Sequence, residues 1–205
     1  MKKRLFFVAT AALVPGLAML AFNELSYRAE RAQEVHRQAL EAGRQAGSEI
    51  ERIVEGVDGL LTAVAAIPAV FNADVAGCTE ALKAVARSVA SIRTVFLLDR
   101  EGRIVCDSSG GSSGLNLSDR SYFRDALEKP GVAIGEYTMS RLSNAAILPI
   151  GKAVRDANGA VLGVLATGIR LEWLGERLRE RGLAPGGALT IADRSGVILA
   201  RQPNP

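Results

Sequence analysis

Three segments of this 205-residue chain repeat one pattern: an apolar run, Asp-x-x-Gly, and a second apolar run. They are VFLLDREGRIVC (Val95–Cys106), KAVRDANGAVLGVL (Lys152–Leu165) and LTIADRSGVILA (Leu189–Ala200). An aspartate in such a turn accepts backbone N–H groups, and the glycine supplies the positive φ that closes it. Each segment therefore predicts a β-hairpin. A further strand pattern at Val132–Met139 lies between the first two hairpins, and one at Ala146–Val154 runs into the second. Together they predict a five-stranded antiparallel sheet over about residues 92–169, flanked by helices on one side: an α+β domain.

The residues before the sheet read as helix. From Glu24 to about Ile67 there is no internal proline, and the later part carries a heptad seam. Ile50, Val57, Val64 and Phe71 form one row; Ile53, Leu60 and Ile67 form the other. That spacing marks a helix with a narrow apolar stripe. About 44 residues of helix would extend roughly 66 Å. The last two turns are expected to pack on their own domain. The earlier turns have little chain to cover them, which points to a parallel homodimer. Pro68 weakens the helix, Asn72–Gly77 breaks it, and a second helix is expected from Thr79 to about Ser88.

Ahead of this helix, Lys2, Lys3 and Arg4 precede an uncharged run, Leu5–Phe22. Eighteen helical residues span roughly 27 Å, close to a bilayer core. No A-x-A cleavage pattern ends the run, so we read an uncleaved transmembrane anchor rather than a signal peptide. With the basic tip in the cytoplasm, everything after residue 23 is extracytoplasmic. The expected divisions are residues 1–23 (tip and anchor), 24–72 (long helix), 73–170 (sheet domain) and 171–205. The last part holds an amphipathic helix, Leu171–Arg181, with Gly182 as its C-cap, followed by the third hairpin. A helix and one hairpin are too small to stand alone, so this part reads as the start of a second, truncated module.

The stretch LNLSDRSYFRDAL (Leu115–Leu127) carries most of the functional signal. It follows a glycine-serine loop, Ser108–Gly114, read as a lid or connection. It opens with the capping types Ser118 and Asp119, then places Tyr122 and Phe123 on one helical face with Arg120 and Arg124 beside them. Guanidinium donors converging on an aromatic wall suit capture of a small anion. Lys152 interrupts an apolar strand on the face of Leu148 and Ile150, and a lysine there is rare without a partner; a bound carboxylate would supply one.

Other chemistry is thinly represented. The net charge is only +3, and no basic run interleaved with aromatics suggests a nucleic-acid surface. His36 is the one histidine, too few for a zinc site, and no triad or paired-carboxylate arrangement points to an enzyme, a metal centre or a cofactor. Cys78 and Cys106 are the only cysteines. In an oxidising compartment they would close a loop of about 29 residues and add about 3.6 kcal/mol in the chain-entropy account. The alternative is two buried, unpaired thiols.

In its order of elements the chain resembles the extracytoplasmic double Cache (PDC-like) sensor region of bacterial transmembrane receptors. The resemblance rests on the anchor, long helix, second helix, D-R-E-G hairpin, SDRSYFRDAL, GEYTMSR and GAVLGVLATGIRLEWL, and it is sharpest at Arg120, Tyr122, Phe123 and Ala126. It implies a PAS-like membrane-distal module, the start of a membrane-proximal one, a homodimer along the first helix, and a periplasmic location on the inner (plasma) membrane. It also implies a cytoplasmic output domain: a histidine kinase of a two-component system first, then a diguanylate cyclase or phosphodiesterase, or a chemoreceptor. A ligand-free dimerisation module is the remaining alternative. Family ligands are carboxylates or amino acids. Amino-acid binders usually carry an arginine where Ser118 stands and an aspartate where Gly168 stands. The remaining set, Arg120, Tyr122, Tyr137, Ser140, Arg141 and Lys152, suits an organic acid.

Overall fold

A computed structural model describes residues 2–112, 114–180 and 186–203. Of the side chains in its first helix, those of residues 2–18, 21, 25 and 29 are outside the description. The expected Gly182 cap and Ser113 of the serine loop also lie outside the described residues. Two compact units are present, residues 1–46 and 47–205.

Helix α1 runs Lys2–Ala65 and contributes to both units. In the first unit it carries same-face pairs such as Glu24–Arg28 at 2.9 Å, and Arg31 lies 5.5 Å from the Tyr27 ring centre. Among the described residues no helix is long and apolar enough to cross a membrane. Most of the run read as an anchor, Leu5–Phe22, has side chains outside that description.

In the second unit, α1 ends before Pro68, which opens the short helix α2 (Pro68–Phe71), and α3 follows at Val75–Ser88. Helix α3 starts four residues earlier than expected. Gly77 does not break it: a Cβ there would sit 2.9 Å from that of Ala69, so glycine lets α2 and α3 meet.

The main sheet has six strands: β1 (Ile92–Leu98), β2 (Ile104–Asp107), β3 (Val132–Ile134), β4 (Thr138–Met139), β5 (Ala146–Arg155) and β6 (Val161–Arg170). Their order is β2-β1-β6-β5-β3, with β4 also beside β5, and every pairing is antiparallel. The sixth strand arises because the segment 132–139 divides. Val132 pairs with Lys152, but Thr138 pairs with Ile147, a one-residue slip across Gly135–Tyr137.

Helices cover both faces of the sheet rather than one. On one face Val57, Leu61 and Val64 of α1 and Cys78 and Leu82 of α3 pack on Val95, Leu97, Ile150, Leu165 and Ile169. On the other, helix α4 (Ser121–Glu128) sets Tyr122, Phe123 and Ala126 on Phe96, Leu98, Val164 and Ala166. Period-2 alternation divides the central strands β1 and β6 between these two layers. The α1 seam is largely consumed within this core: Ile50, Ile53, Leu60 and Ile67 are partly buried against it, while Phe71 is exposed. Cys78 and Cys106 are joined as a disulfide between α3 and β2, with Cα atoms 6.1 Å apart.

Helix α5 (Leu171–Arg179) buries Leu171, Leu174 and Leu178, the expected stripe. It packs on β8 (Ile198–Gln202), which pairs with β7 (Leu189–Ala192) in a separate two-stranded sheet. All three hairpins close alike. Asp99 Oδ1 accepts from the N–H groups of Glu101 and Arg103, Asp156 Oδ1 from Asn158 and Ala160, and Asp193 Oδ1 from Ser195 and Val197. Gly102, Gly159 and Gly196 have φ of 81°, 83° and 86°.

Candidate functional site

The serine loop after β2 is organised by a buried carboxylate. Asp107 accepts N–H groups from Ser109 (2.7 Å), Gly110 (2.9 Å) and Ser112 (3.0 Å). Burial raises the Asp107 carboxyl, but the Ser109 hydroxyl and these N–H groups outweigh it and hold it below the usual value. The chain then reaches α4, whose N-cap is Arg120 rather than Ser118 or Asp119. Both expected caps are engaged elsewhere. The Ser118 hydroxyl donates to Asn116 Oδ1 at 2.6 Å, and Asp119 takes two bonds from Arg141, at 3.0 and 2.8 Å.

Two glycines bring α4 onto the sheet. A Cβ at Gly151 would lie 3.1 Å from Tyr122 Cδ2, and one at Gly135 would lie 2.8 Å from Pro149 Cγ. Beside this contact, the segment at the register slip stands opposite the start of α4. The space between is an open cleft of about 240 Å³, walled by Asp119, Arg120 and Arg124 on one side and Glu136, Tyr137 and Thr138 on the other, with Tyr122 and Pro149 between.

Arg120 Nη1 donates to Thr138 Oγ1 at 2.7 Å, linking the two walls, and Nε lies 4.0 Å from Asp119 Oδ2. Its guanidinium has five N–H donors, so most remain for a ligand. Asp119 is the charge partner of Arg141, which also donates to the Asn116 carbonyl at 3.1 Å. Burial acts to raise the Asp119 carboxyl, but the Arg141 bonds and charge, then Arg120, hold it below the usual value. Tyr122 is buried, and burial pushes its hydroxyl well above the ordinary phenol value against the pull of Arg120; the phenol stays a protonated donor at neutral pH. Among the described residues Arg124 and Glu136 form no ion pair.

The six residues singled out in the sequence divide. Arg120, Tyr122 and Tyr137 line the cleft. Arg141 stands behind it as the clamp on Asp119. Ser140 is buried, and its Oγ accepts the N–H groups of Leu142 and Ser143 at 3.2 Å each, so it forms a turn. Lys152 is not brought to the cleft. It points to the opposite face of the sheet, where its ammonium binds Asp58 and donates to Thr62 Oγ1 at 2.7 Å. The expected period-2 face is correct; the carboxylate partner comes from α1.

Arg124, Glu136 and Thr138 complete the cleft. The signal for the last two was the polar run after Gly135 in GEYTMSR, where strand alternation stops. Tyr137 is also tied to the third hairpin: its N–H donates to Asp193 Oδ2 at 2.9 Å. Further in, between sheet and loops, lies a second void of only about 10 Å³, bounded by Phe96, Leu117, Tyr122, Ser140, Leu142 and Ile147. Among the described residues no group of three His, Cys, Asp or Glu side chains could hold a metal ion.

No curated protein matches the chain. Among solved structures it is similar to the Vibrio cholerae histidine kinase DctB sensor domain, at 14% identity and TM-score 0.66, covering 82% of this chain and 67% of that one. It is similar to the ligand-binding domain of the Pseudomonas aeruginosa amino-acid chemoreceptor PctC in complex with GABA, at 24% identity and TM-score 0.60, covering 82% and 74%. The ligand-binding domain of the Campylobacter jejuni chemoreceptor Tlp3 in complex with L-valine matches at 16% identity and TM-score 0.63, covering 82% and 71%. These likenesses establish a shared fold. A family model of the Cache domain matches residues 23–205, and the chain belongs to the Cache domain family.

Proposed function

We propose that this chain is the ligand-sensing input region of a membrane-bound signal-transduction receptor and takes a small organic anion in the Arg120 cleft. One observation carries the reading. Arg141 occupies both oxygens of Asp119, so Arg120 keeps its charge and most of its donors at a water-exposed wall. A carboxylate there meets Arg120 and the Tyr122 hydroxyl. The cleft carries binding groups and no nucleophile-base pair, consistent with recognition rather than catalysis.

In this reading the run Leu5–Phe22 is the membrane anchor and residues 24–205 are periplasmic. The chain is a homodimer along α1, and residues 171–205 begin a membrane-proximal module. Ligand binding biases two arrangements of the domain by no more than its difference in affinity for them. The output domain is a histidine kinase; a diguanylate cyclase, phosphodiesterase or chemoreceptor is the alternative.

Glu136 favours a second reading, an amino-acid ligand, because its carboxylate stands where an ammonium group could meet it. PctC and Tlp3 are recorded with such ligands. Ser118 and Gly168 weigh against it.

Calorimetric titration with succinate, GABA and L-valine tests both. We expect succinate to bind and Arg120→Ala to weaken it about 10- to 100-fold, the worth of a charge-assisted hydrogen bond. Lys152→Ala should leave affinity within about threefold, because the sheet separates it from the cleft. Equal succinate affinity in wild type and Arg120→Ala removes the assignment. Binding of GABA or L-valine alone, lost in Glu136→Gln, replaces it with the second.

A further inference from the structure

We infer that Ile147 closes the inner end of the cleft and thereby sets the length of ligand it admits; this rests on the anion reading above. The outer cleft and the inner void share Arg120, Tyr122 and Thr138 as lining, so they are adjoining parts of the space between the Arg120 guanidinium and the sheet. Its outer part is about 240 Å³, and its inner part is reduced to about 10 Å³. That remnant holds about one water molecule.

Ile147 is the strand residue responsible. It sits on β5, buried, at the sheet end of the void. Its side chain leans over β6 at Gly168. A Cβ at position 168 would lie 2.6 Å from Ile147 Cδ1 and 2.9 Å from its Cβ. Glycine at 168 therefore does two things at once. It puts no functional group into the inner space, and it leaves the room that Ile147 fills. Phe96, Leu117 and Leu142 add apolar surface, and the polar groups that also border the space are engaged: Ser140 Oγ accepts two turn N–H groups and Arg141 is paired to Asp119. A ligand anchored by its carboxylate at Arg120 finds almost no volume beyond Tyr122. The cleft should take short acids and reject long ones by steric exclusion.

The test uses a homologous series of straight-chain monocarboxylates, acetate to octanoate, titrated into wild type, Ile147→Val and Ile147→Ala. Ile147→Ala removes three side-chain carbons and should move the preferred length outward by two to three methylenes. Each methylene newly buried is worth about fourfold in affinity. Ile147→Val should shift it by about one. The same preferred length in all three proteins overturns the inference.

A second arm needs no anion. An apolar cavity opened in a protein core binds benzene. Benzene should raise the melting temperature of Ile147→Ala and leave that of wild type unchanged. Equal response in the two proteins means that Ile147 does not close the space. If wild type binds none of the acids but the benzene difference holds, the anion reading falls while Ile147 stands as the closure of the inner cavity.

Discussion

Removing the Asp58 carboxylate tests how the sheet is joined to α1. Lys152 is 23% exposed at its side chain and Asp58 39%. Exposed pairs contribute about 0–1 kcal/mol, and breaking a fully buried pair costs about 3–5 kcal/mol. This pair lies between those limits. Thr62 still accepts from the ammonium at 2.7 Å after the carboxylate is gone. We therefore expect Asp58→Ala to destabilise the chain by about 1–2 kcal/mol, discounted for the exposure of Asp58. For a chain of this size that lowers the melting temperature by about 3–6 °C. Lys152→Met should cost less, about 0–1 kcal/mol, because it keeps the aliphatic stem and leaves Asp58 able to hydrate. The double variant should cost less than the sum of the two. Urea and thermal unfolding of the four proteins give the cycle. Additive costs, or a neutral Asp58→Ala beside a damaging Lys152→Met, would refute the pairing and return Lys152 to the search for a partner.

Two further outcomes follow from the same geometry. Asp193 is held down to about 2 by the Ser195 hydroxyl first, then the Tyr137 N–H, with burial acting against them. A depressed carboxyl stabilises the folded state above its unfolded value and loses that contribution as pH falls through the folded one. The Tyr137–Asp193 link should therefore persist down to about pH 3 and break near pH 2, read from the Asp193 carboxyl and Tyr137 amide shifts by NMR; a midpoint near 3.9, the unperturbed value, counts against it. Replacing Cys78 and Cys106 together by alanine should cost about 2–5 kcal/mol in urea unfolding under oxidising conditions, and a loss below about 1 kcal/mol would show that the bond does not restrain the unfolded chain.

Signals confined to a few neighbouring residues were legible in the sequence. The three Asp-x-x-Gly hairpins formed as written, because donor, acceptor and positive-φ glycine all lie within five residues. The α5 stripe formed because a helix repeats its face every few residues whatever it packs on. The site was only half legible. The R-x-Y-F stretch pointed to Arg120 and Tyr122 and the polar run GEYTMSR to Tyr137, but how that wall stands against α4 depends on a register slip at Gly135–Tyr137 that is set by pairing with β5.

The sequence alone determined which face of its strand Lys152 occupies, since alternation is a property of the backbone. The tertiary structure decided what that face meets. Asp58, 94 residues from Lys152, supplies the carboxylate that a ligand had been expected to bring. Asp119 was drawn from capping to Arg141, 22 residues away, because a bidentate charged pair outweighs a single N-cap bond. Gly168 reads in sequence as a missing acid; in three dimensions it is the space that Ile147 occupies. Such choices depend on which surfaces folding brings together, and one-dimensional spacing carries no record of them.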